Sequence, residues 1–156
     1  IIDSLYWKKR IESAWKEASI VWLSGVRRSG KTTLAQSLGP TDQILYVNCD
    51  LPVTEDRVRD PELFFQSCEK PILIFDEIHQ LSDPSRLLKI GADLFPQLKI
   101  LATGSSTLAA SKKFRDTLTG RKYTLFRGRC PRLLTVCPFR ATETNLRHLL
   151  LVRNAS

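Results

Sequence analysis

A chain of 156 residues has room for one domain with a real hydrophobic core and too little for two of ordinary size. With 42% hydrophobic and 26% charged residues its composition is that of a globular protein, and no apolar run approaches the roughly 20 residues of a membrane helix. The net charge of +8 is uneven: residues 1–106 hold 13 Lys/Arg against 14 Asp/Glu, and residues 107–156 hold 11 against 2.

In chain order, Leu5–Ala18 sets Leu5, Ile11 and Trp15 among charged residues at helical spacing, with Asp3 or Ser4 as the expected N-cap. Ile20–Leu23 is a short apolar run of strand type. It leads into Gly25-Val26-Arg27-Arg28-Ser29-Gly30-Lys31-Thr32, and Thr32–Leu38 then has helical spacing up to Gly39-Pro40. Ile44–Val47 predicts a second strand, Asp50–Asp60 a loop, and Pro61–Glu69 a short helix with Pro61 in its first turn. Pro71–Phe75 predicts a third strand closing on Asp76-Glu77, and Pro84–Phe95 a helix. Leu98–Ala102 predicts a fourth strand, followed by the turn Thr103-Gly104-Ser105-Ser106, and Tyr123–Phe126 a fifth. Almost wholly apolar strands alternating with helices predict a parallel sheet covered on both faces, in a three-layer α/β arrangement.

Gly25–Thr32 matches GxxxxGK[ST] between a strand and a helix. Backbone N–H groups of such a loop wrap a phosphate, and Thr33 continues the helix start beside them. Lys31 is expected to reach the β- and γ-phosphates and Thr32 to ligate Mg²⁺. Asp76 at the carboxyl end of a buried strand is the expected second metal residue, because ligands of open α/β sheets bind at that edge. Glu77 beside it is the candidate base for an attacking water. Such an Asp-Glu pair also suits the start of a helix, but it stands about 45 residues past a phosphate loop, where a hydrolase needs it. Thr103, Ser105 and Ser106 would stand near the γ-phosphate if the fourth strand lies between the first and third; otherwise they form a polar turn capping a helix. His79 would face nucleotide or a partner surface, or be an ordinary helix-start histidine. Arg27 and Arg28 add charge near the phosphates or sit solvated at the loop's tip.

Cys49, Cys68, Cys130 and Cys137 stand far apart without a CxxC pair and with only two histidines. This suits reduced thiols in a cytoplasmic protein better than a zinc site or a disulfide framework. No apolar leader segment follows Asp3, Lys8, Lys9 and Arg10. The absence of methionine leads us to expect a fragment, a processed chain or a missed start. The basic half suits nucleic acid or another polyanion, or is a tail whose charge is incidental.

The phosphate loop, the strand ending in Asp76-Glu77, and Ala102–Ser106 followed by Leu118-Thr119-Gly120-Arg121 together resemble the AAA+-like ATPases of bacteria and archaea. More narrowly, they look like the group often fused to a DUF4143 domain. The resemblance covers residues 5–126. It implies a five-stranded parallel sheet in the order 5-1-4-3-2, ATP hydrolysis with Mg²⁺, a γ-phosphate-sensing role for the Thr103–Ser106 turn, and a nucleotide-sensing role for Arg121 in its own chain or a neighbour. A protein partner or a homo-oligomer fits such a core. Residues 1–126 are thus expected to form the ATPase core. Residues 127–156 depart from the family pattern and read as cut or out of frame, without the family's lid helices. Two other functions fit the same motifs: a nucleotide-dependent interaction or DNA-binding switch without efficient turnover, and a small-molecule kinase.

Overall fold

The computed structural model describes residues 2–25, 30–105, 118 and 120–127. Helix α1 spans Ile2–Ala14, strand β1 Ile20–Gly25, α2 Lys31–Gln36, β2 Ile44–Asn48, α3 Pro52–Arg57, α4 Pro61–Gln66 and β3 Ile72–Asp76. A single 3₁₀ turn, Ile78–Gln80, precedes α5 at Pro84–Leu94, β4 at Lys99–Ser105 and β5 at Lys122–Arg127. The five strands form one sheet in the order β2-β3-β4-β1-β5, every neighbouring pair parallel. The expected order 5-1-4-3-2 is therefore the observed one.

Side-chain alternation explains why this sheet needs cover on both faces. Ile20, Trp22, Leu73, Phe75, Ile100 and Ala102 point into one core, where Phe64 and Phe65 of α4 and Leu87 and Leu88 of α5 meet them. The intervening Val21, Leu23, Ile74 and Leu101 point into the other, against Trp7, Ile11 and Ala14 of α1 and Leu34 and Ala35 of α2. Full burial of side chains such as Phe65, Phe75, Ile11 and Leu73 stabilises the fold by about 1.5–3 kcal/mol apiece. Gly91 marks a close approach of α5 to the sheet and to α4: a Cβ there would lie 2.8 Å from Phe65 and 2.9 Å from Ile100.

Three elements differ from expectation. The segment expected as loop contains α3, because Pro52 pre-sets the first turn and Glu55 and Arg57 suit the two ends of the helix dipole. The Thr54 hydroxyl also donates to the Asn48 carbonyl at 2.6 Å, tying α3 to the end of β2. Helix α1 is already formed at Ile2, ahead of Asp3 and Ser4, where its start was expected. Strand β4 runs on through Thr103 and Gly104 to Ser105, paired with Leu23, Ser24 and Gly25 of β1, where a turn was expected.

Candidate functional site

Because all strands are parallel, their carboxyl ends share one edge. At that edge β1 delivers Gly25, β3 delivers Asp76 and β4 delivers Ser105, with β4 lying between the other two. Gly30 opens α2 in the left-handed region (φ 77°), a conformation glycine adopts without steric cost. The chain thereby turns Lys31 inward. Lys31 is buried, and its ammonium donates to the Gly25 carbonyl at 3.1 Å, closing the two ends of the loop on each other. Thr32 and Thr33 follow on the exposed side of α2. Val26, Arg27, Arg28 and Ser29 lie outside the described residues.

Asp76 is the hub. Its Oδ2 accepts from the Thr32 hydroxyl at 2.7 Å and from the Tyr46 hydroxyl at 2.5 Å; its Oδ1 accepts from the Thr103 hydroxyl. Three elements thus converge on one buried carboxylate, and charge-assisted hydrogen bonds of this kind are about twice as strong as neutral ones. Burial, and then the Asp76 carboxylate, push the Tyr46 hydroxyl above the usual phenol range, so it stays protonated as a donor. Cys49, at the end of β2, donates its backbone N–H to the Asp76 carbonyl at 2.9 Å. Its thiol is pushed up to about 12, by burial first and by the field of Asp76 second. Both described cysteines, Cys49 and Cys68, are free thiols.

Glu77 takes a left-handed backbone (φ 54°, ψ 43°), the one non-glycine residue with positive φ among those described. Such a conformation costs on the order of 1–3 kcal/mol and persists where the surroundings impose it. Here the Glu77 N–H donates to the Thr103 hydroxyl at 3.2 Å. Thr103 therefore fixes both acids at once: it accepts from the Glu77 backbone and donates to Asp76. Its side chain is fully buried. Beside Glu77, the His79 Nδ1 lies 3.3 Å from Oε2.

Sequence reasoning missed Tyr46. In an apolar run it reads as core, and only the strand order β2-β3 brings it to Asp76. For Arg121 the structure departs from the own-chain half of the expected role. This residue sits just before β5, whose first residue Lys122 pairs with Ile20 at the amino-terminal edge, and its Nε donates to Asp93 at 2.7 Å. The nucleotide edge is five strand residues away, roughly 16 Å at about 3.3 Å per residue, so Arg121 does not reach a nucleotide on its own phosphate loop. The Ser105 backbone pairs with Gly25 at the correct edge. The Ser105 side chain and Ser106 lie outside the described residues.

A hydroxyl and a carboxylate oxygen 2.7 Å apart beside a phosphate-loop lysine are hard oxygen donors of the kind Mg²⁺ takes together with phosphate oxygens and water. Among the described residues no cluster of three or more His, Cys, Asp or Glu could hold an ion alone. No described helix is long and apolar enough to cross a membrane.

Comparison with known proteins agrees with this geometry. No curated protein matches the sequence. A Walker-type ATPase of Pyrococcus abyssi superposes with a TM-score of 0.50 at 14% identity, covering 78% of this chain and 52% of that one. The RuvB Holliday junction branch migration motor of Thermotoga maritima superposes with a TM-score of 0.50 at 23% identity, covering 78% and 43%. The chain thus spans about half of those structures, and at such identities the likeness is one of fold. A family model described as an AAA domain matches residues 17–144. With its five-stranded parallel sheet and phosphate loop, the chain belongs to this AAA-domain family of P-loop ATPases.

Proposed function

We propose that this chain binds ATP with Mg²⁺ and hydrolyses it to ADP and phosphate. The observation that carries the reading is the Asp76 carboxylate, held by Thr32 from the phosphate-loop helix and by Thr103 from β4, with Glu77 next in sequence. On this reading Lys31 exchanges its contact with the Gly25 carbonyl for the β- and γ-phosphates, and the loop amides from Gly25 to Thr33 wrap the phosphate chain. Thr32 and Asp76 would hold the metal, which when bound neutralises charge between the β- and γ-phosphates.

Glu77 orients a water for in-line attack on the γ-phosphorus. As the new P–O bond forms, the bond to the bridging oxygen of ADP breaks and the water's proton passes to the carboxylate. Thr103 acts as a positioning residue, its hydroxyl being engaged by Asp76 and by the Glu77 amide. The role of facing the γ-phosphate falls to Ser105, beside Gly25 in register. A carboxylate base next to the metal residue favours water over a bound acceptor, which separates this reading from a kinase.

The test is nucleotide titration with Mg²⁺ together with phosphate release. Wild type should bind and turn over ATP, and Lys31→Ala should lose most affinity, because it removes the side-chain cation that reaches the β- and γ-phosphates. Equal dissociation constants for the two proteins would remove the phosphate loop from the account.

A further inference from the structure

His79 takes no part in the scheme above, yet three observations converge on it. Its Nδ1 is completely enclosed and makes no hydrogen bond. The same atom lies 3.3 Å from Oε2 of Glu77. A buried imidazole nitrogen left unpaired costs on the order of 1–3 kcal/mol, so a site that keeps one beside a carboxylate has a partner within a small rotation. The third observation is the space the ring occupies. A Cβ on Gly104 would lie 2.5 Å from the Trp22 ring and 3.2 Å from His79 Nδ1. The missing side chain at position 104 of β4 is what lets tryptophan and imidazole share the ground behind Glu77. The Glu77 backbone is meanwhile pinned in its left-handed conformation by Thr103, one residue before Gly104. Thr103 thus holds the backbone of Glu77, and Gly104 beside it leaves room for the imidazole at the Glu77 side chain.

We propose that His79 is the positioning residue of Glu77: its Nδ1–H donates to the carboxylate and holds it in the orientation that receives the proton of the attacking water. The inference rests on the hydrolytic reading above and adds a residue to it. Asparagine places an amide N–H close to where Nδ1 stands, whereas alanine leaves the carboxylate without a donor. His79→Ala should lower kcat roughly ten- to hundredfold, the cost of misplacing a reacting group by an ångström or less. Its dissociation constant for ATP should stay within about twofold, because on this reading His79 bears on Glu77 and not on the phosphates. His79→Asn should recover most of the loss. In a Glu77→Ala background the further change His79→Ala should cost nothing, since the group it positions is gone.

A second readout does not depend on turnover. The sequence contains two histidines, His79 and His148, so single substitutions assign their ring signals in ¹⁵N-detected NMR. The His79 ring should be protonated at Nδ1 in wild type, and its Nδ1 resonance should move in Glu77→Ala. Unmoved ring signals, no recovery by asparagine, or an undiminished effect of His79→Ala in the Glu77→Ala background would each overturn the proposal while leaving the hydrolytic reading in place. Unchanged turnover in Glu77→Ala alone would overturn the hydrolytic reading, and this proposal with it.

Discussion

Asp76 collects hydroxyl donors from α2, β2 and β4, and Tyr46 is the one whose contribution can be removed most cleanly. Tyr46→Phe keeps the ring packed and deletes only the donor. We expect a loss of about 1.5–3 kcal/mol of folding stability, the range for a hydrogen bond to a charged group, measured by urea unfolding. A loss within about 0.5 kcal/mol, no more than a neutral surface change, would mean that Thr32 and Thr103 satisfy Asp76 by themselves. Cys49 supplies a pH dependence. Burial first, and then the Asp76 carboxylate, push its thiol up to about 12, so in the folded protein it stays neutral where the unfolded chain already gains by ionising. The stability it contributes is fully present below pH 9 and is lost as pH rises from there towards about 12. Cys49→Ser should flatten the decline of the unfolding midpoint over that window.

At the scale of elements, the glycines show where packing leaves no choice. Gly104→Ala would bring a methyl group to 2.5 Å from Trp22, whose ring is enclosed by the sheet and α5 side of the core. Overpacking of this kind costs about 1–3 kcal/mol. Since β4 also carries Thr103, nucleotide hydrolysis should fall with stability, and calorimetry and turnover on the same variant check both. The strands were legible because Ile20–Leu23, Ile72–Phe75 and, apart from Lys99, Leu98–Ala102 are apolar on both faces, as burial between two helical layers demands. Helix α3 was not, because Asp50–Asp60 is polar and holds a proline, a composition shared by loops and by short capped helices. The end of β4 was misjudged for a related reason: Thr103-Gly104-Ser105 has turn composition, while its pairing with Leu23, Ser24 and Gly25 is settled by the neighbouring strand. The candidate residues Gly25, Lys31, Thr32, Asp76 and Glu77 can be named from the sequence because the proposed chemistry fixes residue type and spacing. Tyr46 and the strained Glu77 backbone cannot, since each arises from contacts between strands distant in sequence.

For the whole molecule, two cores on opposite faces of one sheet hold Gly25 and Asp76 at the carboxyl ends of their strands, while the positive charge gathers in residues 107–156. If that half meets nucleic acid it does so through phosphates taken one by one. Fluorescence anisotropy with a DNA duplex should then show affinity falling by roughly 10³-fold or more between 50 and 200 mM salt. Binding insensitive to salt would remove the electrostatic account. The central claim is narrower and is tested most directly by single-turnover hydrolysis in ¹⁸O-labelled water, with wild type and Glu77→Gln compared. We expect wild type to release phosphate carrying one ¹⁸O, and Glu77→Gln to bind ATP equally well while releasing that labelled phosphate roughly 10²–10⁴-fold more slowly. Unlabelled phosphate on an acceptor, or equal rates in the two proteins, would contradict the assignment of this site as a hydrolase with Glu77 as its base.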